Sequence, residues 1–281
     1  MSGSSTCLET SASGNTPAST SSFRKEIHDM YEIFGERQYM NEKRAICTLC
    51  IGRRARDFAK LTHGPMERYA RRVNAEFIVF DERRVNFTGS KGFNPILFEK
   101  YQVARVLEEH DRVLYLDTDI LVTPHAPDVF TRVDKTRVGG VFEDIGTEKK
   151  HRRRLIQEVQ EDLGDLGWQV GFMNSGVFVA SKEHARAFKM HETYGFHDGE
   201  YEQTNTNWYI RKAGFEIQGI DFRFNFMGMM RVIHGPIHRE AFFIHYAGKG
   251  GLFPWVPKME QLNNDHAFFY EGKQVPSFED C

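Results

Sequence analysis

The run Arg112–Val122, RVLYLDTDILV, constrains the chain more than any other stretch, because it plants two aspartates in what otherwise reads as a buried strand. Carboxylates are almost never fully buried without a partner, and taking an ionised one out of water costs several kcal/mol or more. A fold that contains this strand must therefore bring something cationic or hydrogen-bonding against Asp117 and Asp119.

The rest of the chain says what kind of fold. From Ala45 onward strand and helix signals alternate, the pattern of an α/β domain with a mixed, mostly parallel sheet flanked by helices. Strands are expected over Ala45–Ile51, Glu76–Phe80, 113–116, Val138–Phe142, Gly176–Ala180, Phe215–Ile217 and Phe242–His245. Helices are expected after Gly52, with a break at Gly64 and Pro65, then over Pro95–Glu109 and near 147–162, 182–193 and 202–212. Residues 1–22 are mostly Ser and Thr with Gly, Pro and Asn, too poor in apolar side chains to offset their ordering entropy; a disordered tail is expected there. The folded domain is then 23–281, opening on a short helix through Glu36. In sheets of this class ligands bind beyond the C-terminal strand ends, which is where Asp117 and Asp119 stand.

Composition narrows the function. A chain of 281 residues, 40% hydrophobic and 27% charged, suits one large domain. A net charge of -2 gives no field for DNA, RNA or an anionic membrane, so nucleic acid is not an expected partner. The basic run KKHRRR (149–154) is followed by Glu158, Glu161, Asp162 and Asp165 and reads as one solvated helix. Cys7, Cys47, Cys50 and Cys281 are too few and too uneven for a disulfide scaffold, and the lone Cys47/Cys50 pair lies in a strand-like segment. There is no apolar run of about 18 residues and no signal-peptide pattern. A soluble, cytoplasmic protein without a transmembrane segment is expected.

In an extended segment side chains i and i+2 share a face, so Asp117 and Asp119 can point together while Thr118 points away. Two such charges call for a cation, and hard oxygen ligands suit Mg²⁺ or Mn²⁺; two aspartates that merely cap a turn are the alternative. FIHYAGKGG (243–251) places His245 at a strand end before a glycine-rich loop carrying Lys249, offering an imidazole for a metal and amides plus an ammonium for phosphate. FMNSGVFV (172–179) and EQTNTNWYIRKAGFEI (202–217) contribute amides that suit sugar hydroxyls or, alternatively, helix caps and turns. Phe196, Tyr201 and Trp208 are compatible with a glycan surface or with plain packing.

Taken in order, DTD, MNSGVFV, EQTNTN, FRFNFM (222–227) and HYAGKG closely resemble the retaining glycosyltransferases of family 8, which include glycogenin and bacterial galactosyltransferases of lipooligosaccharide synthesis. The similarity covers roughly residues 44–256. It implies a GT-A fold and a metal-dependent transfer of a hexose or pentose from a nucleotide-diphosphate donor, usually UDP-linked, to a hydroxyl of a glycan, protein or small molecule. It implies Mn²⁺, with Mg²⁺ as the alternative, held by Asp117, Asp119 and His245. On the donor side it implies Thr48, Leu49, Cys50, Lys100, Leu116, Asp117, Thr118, Asn174, Ser175, Gly248 and Lys249. Glu202, Gln203 and Asn174 are the implied catalytic group, with Gln203 near the reacting anomeric carbon.

The chain departs from the family pattern in two places. Its lysine follows Gly248 directly and Pro254-Trp255 come two residues late, and the first strand leads into Ile51, Gly52, Arg53 and Arg54 rather than an acidic or amide residue with a nearby Tyr. Bond breaking leaves negative charge on the diphosphate, opposite a cation and Lys249, and positive charge on the ring, opposite Glu202, Gln203 and Asn174. Front-face attack is the expected route to retention; a double displacement would use Glu202 as nucleophile. The competing readings are a sugar nucleotidyltransferase, a zinc site on His234, His238 and His245, and a nucleotide-sugar or glycan binder without turnover.

Overall fold

A computed structural model describes residues 42–85, 94–197, 202–275 and 278. The expected tail at 1–22 and the helix before Glu36 lie outside them, as does Tyr201. By its internal contacts the chain divides into Met1–Glu42 and Lys43–Cys281, and every element below belongs to the second unit.

Six strands form the main sheet: β1 (Arg44–Leu49), β2 (Ala75–Phe80), β3 (Arg112–Leu116), β5 (Val138–Phe142), β6 (Met173–Ser181) and β7 (Ile217–Gly219), in the order β2-β1-β3-β6-β5-β7. Only β6 runs against the others, pairing antiparallel with both β3 and β5. Side-chain alternation sends Ile46, Leu114, Leu116, Val177 and Val179 to one core and Ala45, Cys47, Val113, Tyr115 and Phe178 to the other. Both faces of the central strands β1, β3, β5 and β6 are covered, and apolar residues therefore dominate them.

One face carries helix α1 (Arg53–Arg72), through Phe58, Met66 and Tyr69, and a second sheet of β4 (Ile120–Val122) paired antiparallel with β8 (Phe243–His245). The other face carries α2 (Val103–Glu109), α3 (Lys149–Leu163) and α5 (Glu202–Lys212), through Leu107, Val159 and Trp208. The short α4 (His191–Tyr194) follows a 3₁₀ stretch at Lys182–Lys189, and α6 (Gly228–His234) and α7 (Lys258–Tyr270) complete the helices among the described residues.

Three expectations need correction. Helix α1 runs unbroken through Gly64 and Pro65: proline removes one backbone donor, but Thr62, Pro65, Met66 and Tyr69 are all buried, and their packing holds the helix together. Strand β7 begins at Ile217 rather than Phe215, because Phe215 N–H closes the end of α5 on the Ile210 carbonyl beyond Gly214 (φ 83°). Helix α3 is not simply solvated: its Arg154 meets Glu158 at 3.5 Å, yet Arg152 turns inward to Glu143. Phe196 and Trp208 serve packing, the first against Phe98 and the second fully buried beside Tyr209. No helix among the described residues is long and apolar enough to cross a membrane.

Candidate active site

The reversal of β6 determines what can meet at one edge of the sheet. Leu49 ends β1, Asp117 and Glu143 follow the C-terminal ends of β3 and β5, and Asn174, Ser175 and Gly176 stand near the N-terminal end of β6; all line one cavity of about 830 Å³. Such a volume accommodates a nucleotide-sized ligand.

Asp117 and Asp119 converge there, by a geometry other than the expected one. The segment is a turn, with Ile120 N–H on the Asp117 carbonyl at 3.2 Å, so strand alternation does not apply. Thr62 of α1 donates to the Thr118 carbonyl at 2.8 Å and ties the turn down. Pairing of β4 with β8 sets Ile120 opposite His245, and Tyr246 N–H reaches the Asp119 carbonyl at 3.1 Å. His245 Nε2 consequently lies 3.3 Å from Asp119 Oδ1 and 3.9 Å from Asp117 Oδ2. One ligand atom from each of the three residues falls within 4.8 Å of the others, and among the described residues no second group of this kind occurs. Two carboxylates and an imidazole fit a hard or borderline divalent cation. The alternative trio fails: His234 stacks on Phe222, and His238 turns to Asp265 at 3.3 Å.

Glycine is required at 176 for space. A Cβ there would sit 2.5 Å from His245 Cε1, 2.8 Å from Asp117 Oδ2 and 2.9 Å from Asn174 Oδ1.

The electrostatics separate the two acids. Burial pushes the Asp117 carboxyl up, against the pull of Lys100 and His245. Burial acts on Asp119 too, but the His245 ring and Lys258 outweigh it and bring that carboxyl down to about 2. Lys258 Nζ is 3.2 Å from Asp119 Oδ2 and also donates to the Tyr246 carbonyl. Tyr115 OH donates to Asp117 Oδ1 at 2.9 Å.

Behind this seat lies a buried ion pair. Lys100 Nζ meets Glu202 Oε1 at 2.5 Å and Asp117 Oδ1 at 3.6 Å, and Ser175 Oγ donates to the same Glu202 oxygen at 2.7 Å. Burial would drive the Lys100 ammonium down, but Asp117 and Glu202 hold it above its ordinary range, so it stays charged. Beside the pair, Glu143 accepts from Asn174 Nδ2 at 2.6 Å, from Gln203 Nε2 at 3.0 Å and faces Arg152 Nε at 2.8 Å.

Of the residues singled out in the sequence, the cavity gathers Leu49, Asp117, Thr118, Asp119, Asn174, Ser175, Glu202, Gln203, His245 and Gly248. Thr48 and Leu116 are instead buried in the sheet, Cys50 is buried just beyond β1, and all three are outside the cavity lining. Lys100 works from beneath the floor, and Lys249 is exposed and does not line the cavity. The lysine that does line it is Lys258, in a helix whose weak apolar periodicity gave no warning of it. Asn225, Glu143 and Arg152 were missed as well. Asn225 lies within the quoted FRFNFM motif, but nothing in its spacing points to His245.

The model of glycosyl transferase family 8 matches residues 57–257. No curated protein sequence matches the chain. The fold is similar to that of a glycosyltransferase involved in glycosylation of the major capsid of PBCV-1, at 14% identity and TM-score 0.53 over 79% of this chain and 98% of that one. It is similar also to the galactosyltransferase LgtC, solved with donor and acceptor sugar analogues, at 18% identity and TM-score 0.52 over 83% and 98%. A third likeness, to the bifunctional glycosyltransferase WbbM, has TM-score 0.55 at 12% identity over 82% of this chain and 50% of the other. With the matched region spanning well over half of the 281 residues, the chain belongs to glycosyl transferase family 8.

Proposed function

We propose that this glycosyltransferase moves a sugar from a nucleoside-diphosphate donor, UDP-linked, to a hydroxyl of a glycan, protein or small molecule, with retention at the anomeric carbon and with Mn²⁺ or Mg²⁺ bound. The observation that carries this reading is the convergence of Asp117, Asp119 and His245 at the edge of a cavity that also holds Gln203 and Glu202. The cation would be held by those three side chains and would act there as a Lewis acid on the diphosphate.

The chain's own groups do the remaining work. Lys258 and Gly248 line the cavity together with the ion seat, and Lys258 would take the part that the sequence suggested for Lys249. Glu202 is committed to Lys100 and Ser175, which disfavours it as a nucleophile and favours front-face attack, with the departing phosphate oxygen accepting the acceptor's proton. Gln203 is braced between Glu143 and Asn174 and presents its amide to the cavity, where it would orient the reacting ring.

Incubation with a panel of nucleotide sugars, with and without Mn²⁺, tests the reading through release of the nucleoside diphosphate. Metal-dependent release is expected with a UDP-sugar. Pyrophosphate release from a nucleoside triphosphate would favour a nucleotidyltransferase. Tight UDP binding without turnover of any donor would favour a binder. Gln203→Ala should lower kcat far more than donor affinity, and equal losses in both would remove its role in the transition state.

A further inference from the structure

We propose that Asn225 is a positioning residue that holds His245 in its Nδ1–H tautomer, with Asn174 as the group that fixes Asn225; the inference rests on the ion seat proposed above. An asparagine amide is nearly symmetric in shape, so only its partners decide which end is oxygen. Here the chain of partners begins at two groups that cannot reverse. The backbone N–H of Gly176 is a donor only and lies 2.9 Å from Asn174 Oδ1. The Glu143 carboxylate, facing Arg152, is an acceptor and takes Asn174 Nδ2 at 2.6 Å. Together they settle the orientation of Asn174.

The next link follows. Asn174 Oδ1 accepts from Asn225 Nδ2 at 2.9 Å, so the oxygen of Asn225 must face the other way, and it meets His245 Nδ1 at 2.8 Å. An oxygen there requires a hydrogen on Nδ1. A neutral imidazole carries one such hydrogen, which leaves the lone pair on Nε2, the atom turned toward Asp119 and Asp117. Glu143, Asn174, Asn225 and His245 are all at least nine-tenths buried. Reversing one amide would set like poles together where water cannot relieve them.

The same accounting shows how firmly Asn174 is held. Its two donor hydrogens go to Glu143 and, at 3.2 Å, to Gln203 Oε1; its oxygen takes Gly176 N–H and Asn225. All four of its hydrogen-bonding positions are filled within the protein.

The test uses the full chain labelled with nitrogen-15 in histidine and saturated with Mg²⁺, a diamagnetic ion that would occupy the Nε2 lone pair. The His245 signals are identified by their loss in His245→Gln. A protonated Nδ1 and an Nε2 without a proton are expected, and a proton found on Nε2 overturns the proposal without any variant of the relay. Calorimetric titration with Mn²⁺ alone then compares the unaltered protein with Asn225→Leu, which removes the acceptor. Asn225→Leu should weaken the ion about 10–100-fold and lose the Nδ1–H signature. An unchanged tautomer and affinity in Asn225→Leu would refute the relay. If the unaltered protein binds no Mn²⁺ while His245 still shows Nδ1–H, the positioning stands and the ion seat fails.

Discussion

The two sides of the cavity are built on different principles. On the sheet side, Lys100, Glu202, Ser175, Asn174, Glu143, Gln203 and Asn225 are buried and bonded to one another, so their dipoles are aimed before any ligand arrives. On the opposite side, Gly52, Arg53, Arg54 and the Gly248–Gly251 loop are exposed or half-buried, with positive φ at Gly52, Gly248 and Gly251. A wall fixed in advance suits stabilisation of charge in a transition state, which rewards dipoles that need not reorganise. A pliable wall suits the choice of ligand, which is the usual work of loops on a rigid scaffold.

Substitutions on the two sides should therefore differ in kind. The largest effect is expected from Lys100→Met, which strands Glu202 in the interior and takes the ammonium away from Asp117, and should cost about 3–5 kcal/mol of unfolding free energy in a denaturant titration. A loss below 1 kcal/mol would mean that the sheet-side wall is not prestressed by that ion pair. Next comes Asp119→Ala, which should leave the protein folded but weaken Mn²⁺-dependent UDP binding by more than the roughly 100-fold that loss of an outer-shell partner costs. Calorimetry giving unchanged affinity would break the assignment of the ion seat.

Gly176→Ala should come third. Its added methyl meets His245, Asp117 and Asn174 at once, and overpacking of this kind costs about 1–3 kcal/mol. Mn²⁺ affinity should fall with stability, whereas a variant as stable and as tight as the parent would show that the site can yield. Smallest are Arg53→Ala and Arg54→Ala on the open wall. Each should alter stability by no more than about 0.5 kcal/mol and weaken UDP binding by about 0.2–1 kcal/mol, less as salt is added. Melting curves and titrations at two salt concentrations would sharpen the contrast.

Much of the fold was legible because strands covered on both faces announce themselves. Val138–Phe142 has the expected limits and Glu202–Lys212 is the helix expected there. Short or tertiary-driven elements were not. Ile120–Val122 reads as the end of the strand that begins at Arg112, and it is a separate strand because Phe243–His245 lies beside it. Helix Lys258–Tyr270 has little amphipathic periodicity. The candidate site divides the same way. Asp117, Asp119 and His245 stood out because polar groups at apolar strand ends are costly without a partner. Asn225 and Lys258 did not, since an amide among phenylalanines and a lysine at a helix start look ordinary until distant partners meet them. Lys249 was favoured over Lys258 by proximity in sequence to Gly248, which does not determine where a side chain points.

The small ladder of β4 and β8 also acts as a gauge of folding. Asp119 precedes one of its strands and His245 ends the other, so the ion seat exists only when those two short segments pair in the correct register. A slip by one residue would send the imidazole to the opposite face. Contacts this remote along the chain tend to form late, which makes tight ion binding a sign of completed assembly, and a chain that has closed its main sheet but not this ladder would be compact yet unable to grip the metal.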